Sequence, residues 1–322
     1  MFFLLSLLFT QILLLPTITE AAQGAARRPR SSFIDILLQP KYITMLIIGF
    51  VVLFLLRTKK MKSNIKIPLL LLSTFLFGLA GNISMKPFSY FAMHPSPICA
   101  ATKPLLFGFR IAFIVMLFVI FLLTLIGPKL FCGWVCPVGA IQELIAMLSD
   151  KLKIKRIKIN FTFSNTIRTG ILILFIFISA TSILHITYGG KIVPKSLYDY
   201  LNTFHGLEFE IQKTFIDNII HYFPFILTVI LAFKFYRPFC YLVCPVGLYT
   251  HWLEQISLFK VSLKKSSCND CQICVEKSPC PTVSDILKDS TLRPDCFSCY
   301  VCIESCPKDA FEIRTKKTIS SK

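Results

Sequence analysis

A chain of 322 residues that is 54% hydrophobic, only 16% charged and has a mean hydropathy of +0.66 is not an ordinary soluble domain. Its net charge of +18 would suit nucleic acid. However, the lysines and arginines gather where apolar segments end, as in the cytoplasmic loops of a membrane protein, and this excludes a nucleic-acid-binding face.

The first apolar run, residues 2–15, leads through small residues to Arg27-Arg-Pro-Arg30. Residues 1–26 are therefore expected to be a signal peptide or an anchor helix. Further spans follow in alternation. Tyr42–Leu56 ends at Arg57, Lys59, Lys60, Lys62 and Lys66, and Ile67–Ser84 returns outward to a loop holding Met93-His-Pro-Ser-Pro-Ile-Cys99. Leu106–Gly127 comes back to the motif Phe131-Cys-Gly-Trp-Val-Cys-Pro-Val-Gly139, and Lys151, Lys153, Lys155, Arg156 and Lys158 lie beyond it. Thr169–Tyr188 goes out to an acidic loop with Asp199, Glu208, Glu210 and Asp217; Ile219–Tyr236 returns to Phe239-Cys-Tyr-Leu-Val-Cys-Pro-Val-Gly247. Every basic cluster then falls on one side.

The two motifs mark an internal repeat: an apolar hairpin, a Cys-x3-Cys-Pro turn and an amphipathic stretch, Val138–Leu148 or Val246–Leu258. Those stretches are expected to lie at the membrane surface. Proline after Cys136 and Cys244 disfavours helix at the cysteine and suits the start of the next one. A helix start favours thiolate. For Cys132, Cys136, Cys240 and Cys244, three readings stay open: a third, shared metal or cluster site, redox-active thiols, or packing.

Eight more cysteines lie near the C-terminus. Cys268, Cys271, Cys274 and Cys280 form one run closed by Pro281; Cys296, Cys299, Cys302 and Cys306 form another closed by Pro307. In the bacterial two-cluster pattern three close cysteines grip one cluster and the fourth, before proline, ligates the other. Cys268, Cys271, Cys274 and Cys306 are thus expected to hold one [4Fe–4S] cluster, and Cys280, Cys296, Cys299 and Cys302 the second. The first run departs from the pattern, with Val275-Glu-Lys-Ser-Pro279 in its last gap. Zinc would use the same thiolates, but zinc knuckles pair two Cys-x2-Cys units and need no Cys-Pro ending. Acidic residues slightly outnumber basic ones around 266–314, which suits a domain standing off the membrane to meet a soluble partner.

The expected fold is mainly α: a polytopic helical membrane bundle over 40–237, the second motif with an interfacial connector helix over 238–265, and a small C-terminal α+β two-cluster ferredoxin-like domain over 266–315. His185 and His221, near the outer end of the bundle, are candidate quinol contacts, with an interface role as the plainer reading. Arg110 is expected to snorkel. Cys99 and His94 are expected to lie apart, in an outward loop.

With these motifs in view, the chain resembles the NapH/MauN/NosR group of membrane-bound polyferredoxins over roughly residues 40–315. The resemblance implies a multi-pass protein of the bacterial inner membrane with a cytoplasmic ferredoxin domain and no independent catalytic site. It further implies a quinol dehydrogenase component that moves electrons between the quinone pool and a respiratory system for nitrate or nitrous oxide. Expected partners are the quinone pool, an iron–sulfur or cytochrome redox protein, and a periplasmic reductase. The alternative is a maturation factor that supplies reducing equivalents to a partner's metal centres. NosR-like proteins carry a large flavin-binding domain, for which the stretch between residues 15 and 42 has no room.

Overall fold

The computed structural model describes residues 32–80, 88–93, 95–102, 104, 110–188, 219–288 and 295–315. Helix α1, Phe33–Leu37, is short, and α2, Pro40–Arg57, has Pro40 at its first position and Arg57 in its last turn, both favourable there. Among the described residues α2 is the one helix long and apolar enough, by length and composition, to cross a membrane. Helix α3, Ser63–Thr74, tolerates Pro68 and runs into a π-turn over Phe75–Leu79. Helix α4, Pro97–Thr102, precedes α5, Ile111–Ile126, which starts at exposed Arg110 and stops at Gly127.

The first motif follows as a π-turn, Phe131–Val135, and then α6, Pro137–Lys151. Helix α7, Phe161–Tyr188, begins eight residues before the apolar segment that announced it. Helix α8, Ile219–Ala232, leads to the second motif, formed by α9, Pro238–Leu242, and α10, Pro245–Glu254. Helices α5 and α8 each stop at a turn that leads into a motif.

The C-terminal unit is α+β, but its first strand lies before residue 266, where a connector helix was expected to run on; that helix stops at Glu254. Strand β1, Phe259–Leu263, pairs antiparallel with β2, Phe311–Thr315, so that Val261 faces Ile313 and Leu263 faces Phe311. Between them lie short helices α11, Ile273–Lys277, α12, Thr282–Lys288, and α13, Val301–Glu304. This sheet joins the two ends of the cysteine-rich segment, so both cysteine runs close into one unit.

One apolar core runs through helices, motifs and cysteine domain, from Tyr42 and Met45 through Phe131 and Trp134 to Phe297 and Phe311. Large apolar side chains also stand exposed outside it: Phe50 and Phe54 on α2, Leu71 on α3, Phe118 on α5, Phe177 on α7 and Ile230 on α8.

Candidate metal centre

The two Cys-x3-Cys-Pro motifs share their backbone geometry. Lys129 and Arg237, each three residues before its first cysteine, have φ of 44° and 49°, left-handed angles that turn the chain into the motif. The Cys136 amide donates to the Phe131 carbonyl at 2.8 Å, and the Cys244 amide to the Phe239 carbonyl at 2.9 Å. Both cysteines then cap a helix with extended backbone, and Pro137 and Pro245 occupy the first turn. Gly139 and Gly247 pass so close to the carbonyls of Cys132 and Cys240 that any Cβ would collide.

The repeats interlock across a pseudo-two-fold. Arg237 donates to the carbonyls of Cys132 at 2.9 Å and Gly133 at 3.1 Å, while Lys129 donates to the Gly247 carbonyl at 3.0 Å. Arg168 takes up the remaining position, donating to the Cys240 carbonyl at 3.4 Å. Gln142 Nε2 lies 3.3 Å from Cys240 Sγ, and Thr250 Oγ1 lies 3.8 Å from Cys132 Sγ. Each repeat therefore reaches the first cysteine of the other. All four motif cysteines line one cavity of about 50 Å³, with Phe77, Met93, Pro97, Ile98 and Phe297 in its wall. The segment expected to form an outward loop thus comes to the cysteines, and Cys99 is buried in α4. Its apolar Met93, Pro97 and Ile98 gain more from that cavity than from water.

Burying these cations requires anions. Glu143 accepts from Lys66 at 2.6 Å, from Arg237 at 2.9 Å and from the Tyr236 hydroxyl at 2.7 Å. Burial alone would raise its carboxyl, but Lys66 and Arg237 outweigh it and hold it down to about 2. Asp295 pairs with Lys129 and, at 2.6 Å, with Arg168. The polar residues of α6 and α10 are consumed in this way. The two stretches expected at the membrane surface therefore turn Gln142, Glu143, Thr250 and Glu254 inward.

Asp295 belongs to the cysteine domain, and its pairing is part of a wide contact. Trp134 Nε1 donates to the Ser298 carbonyl at 3.3 Å, Lys66 to the Cys299 carbonyl at 3.1 Å, and the Cys296 amide to Glu254 at 3.0 Å. Phe297 is gripped by Lys129 at 4.7 Å and Arg237 at 4.9 Å from its ring centre, two buried cation–π contacts. At Gly133 the Phe297 carbonyl occupies the space a Cβ would need. The domain does not stand off: it is bolted to the first motif. Its surface charge is a poor guide because the docking charges, Asp295 and the four cations, are buried.

The cysteines gather in three sets. Cys132 and Cys240 face both Cys136 and Cys244. Cys280 is hydrogen-bonded to Cys299 and faces Cys296 and Cys302, while Cys274 faces Cys306 and Cys268. Burial pushes Cys132 up to about 11 and Cys136 up to about 12, outweighing the lowering by the Val138 and Gly139 amides at the helix start. The helix start expected from sequence therefore does not favour thiolate on its own there; a cation held by the four sulfurs would. Among the described residues no three cysteine sulfurs lie within 4.8 Å of one another. A single zinc, at about 2.3 Å per sulfur, needs them that close; a cuboidal cluster spreads its ligands further. Thiolates gathered in groups are the donors that a [4Fe–4S] group takes. The one compact trio is His251, Glu254 and Asp295, but Lys129 and Arg168 already neutralise Asp295.

The side chains of His185 and His221, and all of His94, lie outside the described residues. Sequence reasoning missed Lys66, Lys129, Gln142, Glu143, Arg168, Arg237, Asp295 and Phe297. Lys129 and Arg237 alone carried a readable signal, a basic residue at the same offset from both motifs.

Residues 109–155 and 219–265 each match a family model described as a 4Fe-4S binding domain. Each match covers the returning helix, the Cys-x3-Cys-Pro motif and the stretch after it, not the C-terminal cysteine runs. The chain is 29% identical over 171 residues to the regulatory protein NosR of Stutzerimonas stutzeri, covering 52% of this chain and 22% of that protein. It is 25% identical over 160 residues to the methylamine utilization ferredoxin-type protein MauN of Methylobacillus flagellatus, covering 49% and 51%. The ferredoxin-type protein NapH of Haemophilus influenzae is also 25% identical, with 48% and 49% covered. The chain thus spans about half the length of MauN and NapH, and less than a quarter of NosR. No solved structure matches it.

Proposed function

We propose, on the premise that this chain is a ferredoxin-type iron–sulfur protein of the NapH, MauN and NosR kind, that it links the membrane quinone pool to an anaerobic respiratory reductase system. In this reading Cys268, Cys271, Cys274 and Cys306 hold one [4Fe–4S] cluster, Cys280, Cys296, Cys299 and Cys302 a second, and the four motif cysteines a third centre. Such groups exchange single electrons and leave no open position for a substrate.

The order of the three sets carries the reading. Cys280, Cys296, Cys299 and Cys302 are 7–9% exposed, and the Phe297–Cys299 loop packs on Gly133 and Trp134 of the first motif. Cys271 is exposed, with Cys268 and Cys306 half-buried. The residues thus line up a route from the bundle, through the inner set, to an outer set within reach of a soluble redox partner. The exposed apolar side chains on α2, α3, α5, α7 and α8 support a lipid-embedded bundle. The basic cluster from Lys151 to Lys158 supports a cytoplasmic side for the cysteine domain. A periplasmic reductase would then need a further partner to receive electrons across the membrane.

Anaerobic metal analysis with EPR during a menaquinol titration tests this. The expected result is about twelve irons per chain, four for each cluster, reduced by menaquinol. Zinc in place of iron would sink the redox reading. Iron that menaquinol does not reduce would favour the maturation role.

A further inference from the structure

We propose that Gln142 tunes the four-cysteine centre by donating an amide hydrogen to Cys240 Sγ, while its counterpart Thr250 makes only a longer contact with Cys132, leaving the two halves of the pseudo-symmetric site electronically unequal. The inference rests on the reading that these four cysteines bind an iron–sulfur group.

The orientation of the Gln142 amide follows from its neighbours. The Phe239 backbone N–H, a donor only, lies 3.0 Å from Oε1. The Val138 carbonyl, an acceptor only, lies 3.0 Å from Nε2. A flipped amide would set donor against donor and acceptor against acceptor, so Nε2 faces the sulfur. Its two hydrogens then serve Val138 and Cys240 Sγ, the latter at 3.3 Å. Gln142 is buried, so water does not compete for either bond.

Thr250 stands at the equivalent position of the second repeat and behaves differently. Its hydroxyl has one hydrogen, for which the Val246 carbonyl at 2.8 Å and the Gly247 carbonyl at 3.2 Å compete at closer range than the sulfur. The contact to Cys132 Sγ, at 3.8 Å, is longer than the 3.3 Å bond from Gln142 to Cys240 Sγ and correspondingly weaker. Hydrogen bonds to ligand sulfurs stabilise the extra negative charge of the reduced state and raise the reduction potential. Gln142 therefore acts on the Cys240 half alone, as a positioning residue that does not ligate the metal group.

Potentiometric EPR titration of the detergent-purified, iron-loaded full chain tests the assignment. Gln142→Leu removes the donor and is expected to move the potential of the motif centre negative by about 59 mV, a tenfold change for one electron, with the ferredoxin clusters unmoved. Gln142→Glu keeps the Phe239 acceptor, loses the N–H, and should move it the same way. Thr250→Asn supplies Cys132 with an amide and should move it positive, so the assignment stays testable if Gln142→Leu does not load. Equal potentials in wild type and all loading variants would overturn the role of Gln142. Wild-type protein with about eight irons and no third EPR signal would instead overturn the centre itself.

Discussion

Lys129 and Arg237 occupy equivalent places in the two repeats, share a left-handed backbone, and each reaches into the other's half. Both also lie over one ring, Phe297. Their anions differ: Glu143 of the first repeat serves Arg237, whereas Lys129 is served by Asp295 of the cysteine domain. In the second repeat the position equivalent to Glu143 is His251. The broken symmetry leaves a socket for a carboxylate, and the domain fills it.

Asp295→Asn should therefore be strongly destabilising. It leaves Lys129 and Arg168 buried with a neutral partner, a loss of about 3–5 kcal/mol by the usual measure of breaking a buried pair. Thermal unfolding of the iron-loaded protein checks this. Replacing Lys129 with Met in the same chain should recover part of the loss, because one stranded charge disappears with its partner.

Glu143→Gln should destabilise by a similar amount, about 3–5 kcal/mol, since Lys66 and Arg237 both lose their anion. Lys66 ties α3 to α6 through this residue, so proteolytic cleavage between residues 57 and 63 should accelerate. Unchanged cleavage and melting would contradict the buried network.

Gly133→Ala should drive the Phe297 carbonyl away from the first motif and slow electron exchange between the inner ferredoxin set and the motif cysteines. Freeze-quench EPR after rapid reduction reads that exchange. Gly170→Ala is the matched control: nothing lies within 4 Å of its Cβ position, and alanine in a helix gains up to about 1 kcal/mol.

His251 should make stability depend on pH. Burial, with Lys129 and Arg168 nearby, lowers it from 6.5 to about 3. Between those values the unfolded chain binds a proton that the folded chain refuses. Its contribution is therefore intact above pH 6.5 and is lost as pH falls towards 3, by up to about 1.4 kcal/mol per pH unit. Melting temperatures from pH 7.5 to 5 should fall, and His251→Phe should flatten that slope.

Features set by local spacing were legible from the residues alone. Two three-cysteine runs ending in Cys-Pro, two Cys-x3-Cys-Pro turns with proline starting the next helix, and the apolar segments feeding them could all be read residue by residue, because turn geometry and helix starts are set within a few neighbours. Spacing could not reveal that α6 and α10 turn their polar faces inward, that Met93–Ile98 comes to the cysteines, or that Asp295 locks the cysteine domain onto Lys129. Those depend on partners far apart in the chain, 98 residues for Gln142 and Cys240 and 166 for Lys129 and Asp295. A buried charge is tolerated only where the tertiary structure brings its counter-charge, and one residue's identity does not say where that counter-charge will be.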